Sequence, residues 1–384
     1  MKVDFAQIPS PSFVLHEELL KINLNILNLV QKEAGVEIIC ALKGFAFWDG
    51  FPLIGSYLSG AAASSLNEAR LIHEKMGVKA HTYCPVYIED EIKEIAGYSS
   101  HITFNSVSQH ERLKEKFQQH NPDISFGLRI NPEYSEVETE IYNPAQPGSR
   151  LGVTADKLND TLPEGIEGLH FHVLCENDSY ALERTLHETE KRFSHLIRQV
   201  KWLNMGGGHL ITRDGYDVKH LVDLLKLFKG RYPNLEKIIL EPGGAIGWQT
   251  GYLVATILDI IENKGVKTAM LDVSFAAHMP DCLEMPYKPK IIGAFDPAGN
   301  DNEHVYRMGG TTCLAGDYMG MGDYAFEVPL KVGDKVVFDD MIHYTMVKTT
   351  FFNGVKHPAI GVWRDGGFKL LRTFGYEDYK NKLS

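Results

Sequence analysis

The 384-residue chain reads as an α/β protein, a (β/α)8 barrel of the TIM type joined to a second, β-rich domain of sandwich- or barrel-like form. Three observations predict this. Eight short apolar runs alternate with helical patterns over the first two-thirds of the chain. After about residue 250 the helical pattern gives way to short strands separated by turn residues. The composition, 44% hydrophobic and 23% charged, is that of a globule large enough for one extensive core and a second domain.

The first barrel strand is "EIICAL" (37–42), part of the apolar run Val36 to Leu42 that only Glu37 interrupts. The next are "LSGAAAS" (58–64), "KAHTYC" (79–84), "HITFN" (101–105) and "ISFGLRI" (124–130). "IEGLHFHV" (166–173), "VKWLNM" (200–205) and "KIILEP" (237–242) complete the eight. Intervening stretches such as "LNEARLIHEKMG" and "SQHERLKEKFQQH" carry the helical pattern. Residues 131–165 are too long for a bare crossover and rich in Pro, Asn and Gly, so "YNPAQPGSRLG" is expected as a loop over the barrel mouth. The second domain is expected to draw strands from "TAMLDVSF", "PKIIGAF", "HVYRMGG", "DYAFEVPL", "DKVVFDDM", "HYTMVKTTFF" and "HPAIGVW", with "SFVLH" (12–16) as an N-terminal contribution. The expected division is a barrel at 17–250 and a β-rich domain from 1–16 plus 251–384.

A formal net charge of −11 argues against a nucleic-acid partner and suits a cationic ligand. "MKVDFAQIPSPSF" lacks the apolar region of a secretory signal, and "GYLVATILDIIENKG" is too charged to span a membrane. Five cysteines without CxxC spacing argue against a disulfide frame or structural zinc and for a reducing, cytoplasmic setting; no metal site is expected.

Barrel enzymes do their chemistry at the C-terminal ends of the strands. Those ends carry Lys43, His172 in "HFHVLCEN", Gly206–Gly208 in "MGGGH", and Glu241 in "EPGG". Each has a plain structural reading: a solvated lysine, a core histidine, a tight turn, a helix cap. Together they describe what one ligand needs. Lys43 can condense with an aldehyde. The amides of Gly206, Gly207 and Gly208, with a second set from Gly243 and Gly244, can nest a phosphate. Glu241 can hold a ring nitrogen protonated, and His172 can stack on a flat ring. Phosphate, aldehyde, basic nitrogen and flat face describe pyridoxal 5′-phosphate.

On these stretches, with "ASSLNEA", "YNPAQPGSRLG", "SFAAHMPDCLEMPYKP", "GGTTCLAGDYMG" and "KTTFFNGVKHPAIGVW" in order over nearly the full length, the chain resembles the alanine racemase/ornithine decarboxylase-like pyridoxal enzymes. Within that group it is similar to the carboxynorspermidine (carboxyspermidine) decarboxylases. The resemblance implies that Lys43 holds the cofactor covalently, Glu241 faces the ring nitrogen, His172 stacks on the ring and Gly206–Gly208 bind phosphate. It further implies that Tyr344 lies near the phosphate and that Cys313 reaches the partner subunit's site to return a proton. Asp317 would help hold a substrate amine, and the protein would be a homodimer with shared sites, its second domain completing the substrate site and the interface.

Related ornithine and diaminopimelate decarboxylases carry arginine after EPG, where this chain has Gly244. The usual acidic substrate segment is replaced by "LDVSFAAHMPD", which leaves Asp272, Asp281 and Glu284, with Asp317, as candidates for a polyamine tail. The expected activity is decarboxylation of carboxynorspermidine or carboxyspermidine. The alternatives are action on diaminopimelate or ornithine, or a non-catalytic pyridoxal-carrying barrel. An acid-rich second domain suits a distal amine rather than a distal carboxylate.

Overall fold

The computed structural model describes residues 3–299 and 304–384. By its contacts the chain divides into two units, 22–246 and 1–21 with 247–384. The division therefore falls a few residues from the expected 17–250, and it cuts the long helix α1 (Glu17–Ala34). The first turn of α1 goes with the sheet unit, where Glu17 pairs with Arg364.

The 22–246 unit is a closed barrel of eight strands: β2 (Glu37–Ala41), β3 (Gly60–Ala63), β4 (Ala80–Tyr83), β5 (Ser99–Phe104), β6 (Ser125–Arg129), β7 (Ile166–His170), β8 (Trp202–Asn204) and β9 (Lys237–Leu240). Every pairing is parallel, and Glu37↔Ile239 closes the ring. All eight expected strands are present, seven of them shorter than their apolar runs, while β5 starts two residues earlier than "HITFN" and ends one earlier. The helices between them follow caps written in the sequence: Ser65 accepts from the amide of Glu68, Ser106 from that of Gln109 and Asp178 from that of Ala181.

The barrel interior is filled from below. Trp202 packs with Ile39, Ala62 and Ile239, and its indole N–H donates to Ser125 Oγ at 2.8 Å. A Cβ on Gly168 would stand 2.0 Å from that ring and one on Gly127 2.2 Å, so the glycines of "FGLR" and "EGLH" exist to admit the tryptophan. With the lower barrel packed, chemistry is left to the C-terminal strand ends. The segment 131–165 is non-repetitive apart from two short 3-10 turns, and Asn105, just beyond β5, ties it down by donating to the Arg150 carbonyl at 2.9 Å and accepting from the Gly152 amide at 2.8 Å.

The second unit is an eight-stranded mixed sheet. Its strands are β1 (Ser12–His16), β10 (Gly251–Asn263), β11 (Val266–Leu271), β12 (His304–Gly309), β13 (Tyr324–Phe326), β14 (Lys335–Asp339), β15 (Ala359–Arg364) and β16 (Gly367–Arg372). The order is β13-β12-β11-β10-β1-β15-β16, with β14 also on β10. The expected N-terminal strand is thus central, parallel to β15 and antiparallel to β10.

Three segments depart from expectation. "HYTMVKTTFF" holds a short helix, Tyr344–Val347, and turns rather than a strand. "PKIIGAF" makes only isolated bridges at Ile291 and Phe295. "GYLVATILDIIEN", weighed only as a membrane span, is β10; positive φ at Lys264 and Gly265 turns it into β11 as a two-residue hairpin. No helix among the described residues is long and apolar enough to cross a membrane. All five cysteines are unpaired.

Candidate active site

The C-terminal strand ends of the barrel bring Lys43, His172, Gly206–Gly208, Glu241, Gly243 and Gly244 into one region. Lys43 follows β2 in a recess, open to solvent but surrounded by protein, with Nζ 3.3 Å from His172 Nε2. Burial holds its amine below the ordinary lysine range, and the Arg129 guanidinium pushes it further down against the pull of Glu241.

The imidazole of His172 is set by backbone. The Gly207 amide donates to Nδ1 at 2.9 Å. Nδ1 therefore keeps its lone pair, and the ring proton sits on Nε2, facing Lys43. An N–H facing an ammonium would be repelled; facing a neutral amine it finds an acceptor. Burial, with Lys43 and Arg129 nearby, pushes His172 well below its ordinary range, in agreement with a neutral pair.

The glycine run is where three backbones meet. A Cβ on Gly206 would lie 2.6 Å from the Phe171 carbonyl oxygen, one on Gly207 2.1 Å from that of Glu241, and one on Gly208 1.9 Å from that of Leu174. Gly206 and Gly208 also have φ of +69° and +92°. The expected three-amide phosphate nest is modified here. The Gly206 amide donates to Asn204 Oδ1 at 2.9 Å and the Gly207 amide to His172, so Gly208 is the member with no protein acceptor among the described residues. Gly243 and Gly44 face each other so closely that a Cβ on either would stand 2.9 Å from the other's Cα.

Glu241, just past β9, is enclosed. Asn204 Nδ2 donates to its Oε1 at 2.6 Å, and His170 Nε2 stands 3.6 Å from Oε2. Burial alone would raise its carboxyl, but His170, Asn204 and Lys43 outweigh burial and hold it below the usual carboxylate range.

Four participants went unread in the sequence: Tyr83, Arg129, His170 and Asn204. Each is the last residue of its strand, β4, β6, β7 and β8 respectively. Arg129 is buried, donates to the His172 carbonyl at 3.0 Å and lies 4.7 Å over the Tyr83 ring. Applying the strand-end rule to the last strand residue, rather than to the motif after it, would have found all four.

The remaining candidates lie in the sheet unit. Cys313 is exposed in the loop after β12, its amide donating to Asn353 Oδ1 at 2.9 Å. Asp317 is buried and accepts from Ser274 Oγ, the Ala276 amide, and the Thr312 amide and hydroxyl, at 2.7 to 3.0 Å. Those four bonds spend the carboxylate on ordering the Cys313 loop. Asp272 accepts from Ser10 Oγ and the Thr256 amide, and exposed Glu284 pairs with Lys348. Asp281 is buried, accepts from Tyr287 and Thr345 on Oδ2, and has no partner on Oδ1. Tyr344 opens the short helix Tyr344–Val347.

With that geometry in view, the similarities are informative. The family described as "Pyridoxal-dependent decarboxylase, C-terminal sheet domain" matches residues 25–342. This chain belongs to the pyridoxal-dependent decarboxylases. A carboxyaminopropylagmatine decarboxylase from Synechocystis is 54% identical over 98% of this chain and 96% of its own. The carboxynorspermidine/carboxyspermidine decarboxylase of Campylobacter jejuni is 44% identical over 98% of both chains. The crystal structure of the C. jejuni carboxynorspermidine decarboxylase complexed with norspermidine superposes with a TM-score of 0.90 at 43% identity, covering 98% of this chain and 100% of that one.

The donor set of this decarboxylase suits pyridoxal 5′-phosphate: an amine held below the ordinary lysine range for the aldehyde, an ionised buried carboxylate for the ring nitrogen, a flat imidazole and a glycine cradle that admits no side chain. The same burial makes the barrel acid-sensitive. His101 and His209 are each depressed to about 4 by burial. Both stay neutral while the unfolded chain takes up protons below about 6.5, so their contribution is complete above that pH and is lost as pH falls toward 4. At pH 5 each should cost about 2 kcal/mol of stability. Urea unfolding at pH 7 and pH 5 checks this; an unchanged midpoint would contradict it.

Proposed function

We propose that this decarboxylase removes the α-carboxylate of carboxynorspermidine and carboxyspermidine, yielding norspermidine or spermidine and CO2 in polyamine biosynthesis. The observation that carries the reading is the gathering of Lys43, His172 and Glu241 at one end of the barrel in a chain alike over 98% of its length to an enzyme so named.

Bound pyridoxal phosphate would supply an electron-withdrawing ring that takes up the charge left when CO2 departs. Lys43, its amine held below the ordinary lysine range, would offer a lone pair to the aldehyde and hold the cofactor. Glu241 stays ionised and would keep a proton on the ring nitrogen. His172, its tautomer fixed by Gly207, would cover a ring face. Gly208, Gly243 and Gly244 are proposed for the phosphate, with Tyr344. Cys313 Sγ is proposed to carry the proton returned to Cα, in the partner subunit's site, so a homodimer is part of this reading. For the tail amines, Asp281, with its unpartnered oxygen, is better supported than Asp272, Glu284 or Asp317, whose oxygens bind protein donors.

A second reading is favoured by the 54% identity to the Synechocystis enzyme: the tail would then end in the guanidinium of an agmatine derivative. The test is CO2 release by purified protein with pyridoxal phosphate, offering carboxynorspermidine, carboxyspermidine and carboxyaminopropylagmatine in competition, with diaminopimelate and ornithine as controls. The carboxylated polyamines should exceed the controls in kcat/KM by about a hundredfold or more, because a buried site built for amines is left unpaired by the wrong tail. Preference for the agmatine derivative would establish the second reading. Preference for a control, or no turnover at all, would overturn both.

A further inference from the structure

We propose that His170 is a positioning residue for Glu241, holding the carboxylate from the side opposite Asn204 and keeping it ionised for the ring nitrogen. This rests on the reading of the barrel as a pyridoxal-dependent decarboxylase and goes beyond it. His170 ends β7 and is only 2% exposed. Neither ring nitrogen has a hydrogen-bond partner among the described residues, and Nε2 stands 3.6 Å from Glu241 Oε2. A neutral imidazole has one N–H to place, and this carboxylate oxygen is the acceptor beside it. Asn204 occupies the other oxygen at 2.6 Å. The pair thus reaches one carboxylate from two neighbouring strands, β7 and β8.

The residue type matters because the site is enclosed. With an apolar side chain at 170, Glu241 would keep one donor and lose the other, and burial would favour its neutral form. A neutral carboxyl cannot stabilise a protonated ring nitrogen. The other charged or titratable groups facing the pair are Lys43 after β2, Arg129 on β6 and His172 after β7, while the Tyr83 ring of β4 lies 5.3 Å from the imidazole. Burial pushes His170 itself below its ordinary range, so it acts as a neutral donor near pH 7.

The test compares wild type, His170→Leu, His170→Phe and His170→Gln, each loaded with pyridoxal phosphate. Two readouts are taken against pH: kcat/KM and the visible absorbance of the bound cofactor. In the leucine and phenylalanine chains the acidic limb of both should move up by about one pH unit, since one donor to a carboxylate is lost. Their kcat should fall about tenfold to a hundredfold, as when the partner that orients a catalytic group is removed. Glutamine, which brings an N–H back, should restore the limb. An unshifted limb in the apolar variants while wild type is yellow would overturn this proposal alone. A wild type that forms no chromophore would overturn the decarboxylase reading with it. Should the apolar variants not fold, nitrogen-15 spectra of the wild-type histidines decide: the proton on His170 Nε2 supports the proposal, and the proton on Nδ1 overturns it.

Discussion

Lys43→Ala is expected to lower kcat by about a thousandfold, equivalent to about 4 kcal/mol of barrier, and to release the cofactor on desalting. The physical reason is that the side chain does two things no neighbour can do. It supplies a primary amine that gives up its proton more readily than an ordinary lysine, because burial and Arg129 hold its pKa down. It also stands where the fixed N–H of His172 faces it, at 3.3 Å. Neither Arg129, whose guanidinium stays protonated, nor His172, whose Nδ1 is taken by Gly207, can replace it. The substitution should leave stability unchanged or slightly raised, since it removes an amine that is unfavourable to charge where it sits. Visible absorbance after gel filtration, activity and urea unfolding on one preparation check all three statements. A chain that stays yellow, or that keeps activity within tenfold, would refute the assignment.

Glu241→Gln is expected to separate binding from chemistry. The amide keeps the shape of the carboxylate and an oxygen for Asn204 Nδ2, but it carries no charge to hold a proton on a ring nitrogen. Lys43 is untouched, so the yellow absorbance should remain while kcat falls by about a hundredfold to a thousandfold, the cost of removing a charge-stabilising group from a preorganised site. The contrast with Lys43→Ala is the useful part: one variant is colourless and inactive, the other coloured and slow. Unchanged kcat, or colour lost together with activity, would count against the role of the carboxylate.

The barrel was legible because parallel strands covered on both faces are written as apolar runs. "EIICAL" and "KIILEP" announce themselves without any partner. The hairpin at Lys264–Gly265 went unread, because β10 carries Asp259 and Glu262 on its exposed half, and this obscured a strand whose first half is buried. "HYTMVKTTFF" misled for the opposite reason: β-branched and aromatic residues favour a strand, yet the segment forms the short helix Tyr344–Val347 before turning. That Lys43, His172 and Glu241 meet at one end of the barrel was readable from motif and position. Asp317 was not, because only the loop geometry reveals that its oxygens bind Ser274, Ala276 and Thr312.

Order along the chain was enough to specify eight strands, their common direction and which residues lie at their C-terminal ends, since strand and crossover periods are local properties of covalent sequence. It could not specify which hydrogen each heteroatom shares. That depends on contacts between residues far apart in the chain. The Gly207 amide meets an imidazole 35 positions earlier, Asn204 meets a carboxylate 37 positions later, and Trp202 fills a space left by glycines on two other strands. Closing the barrel made those meetings, and with them the depressed lysine and the ionised carboxylate of the site.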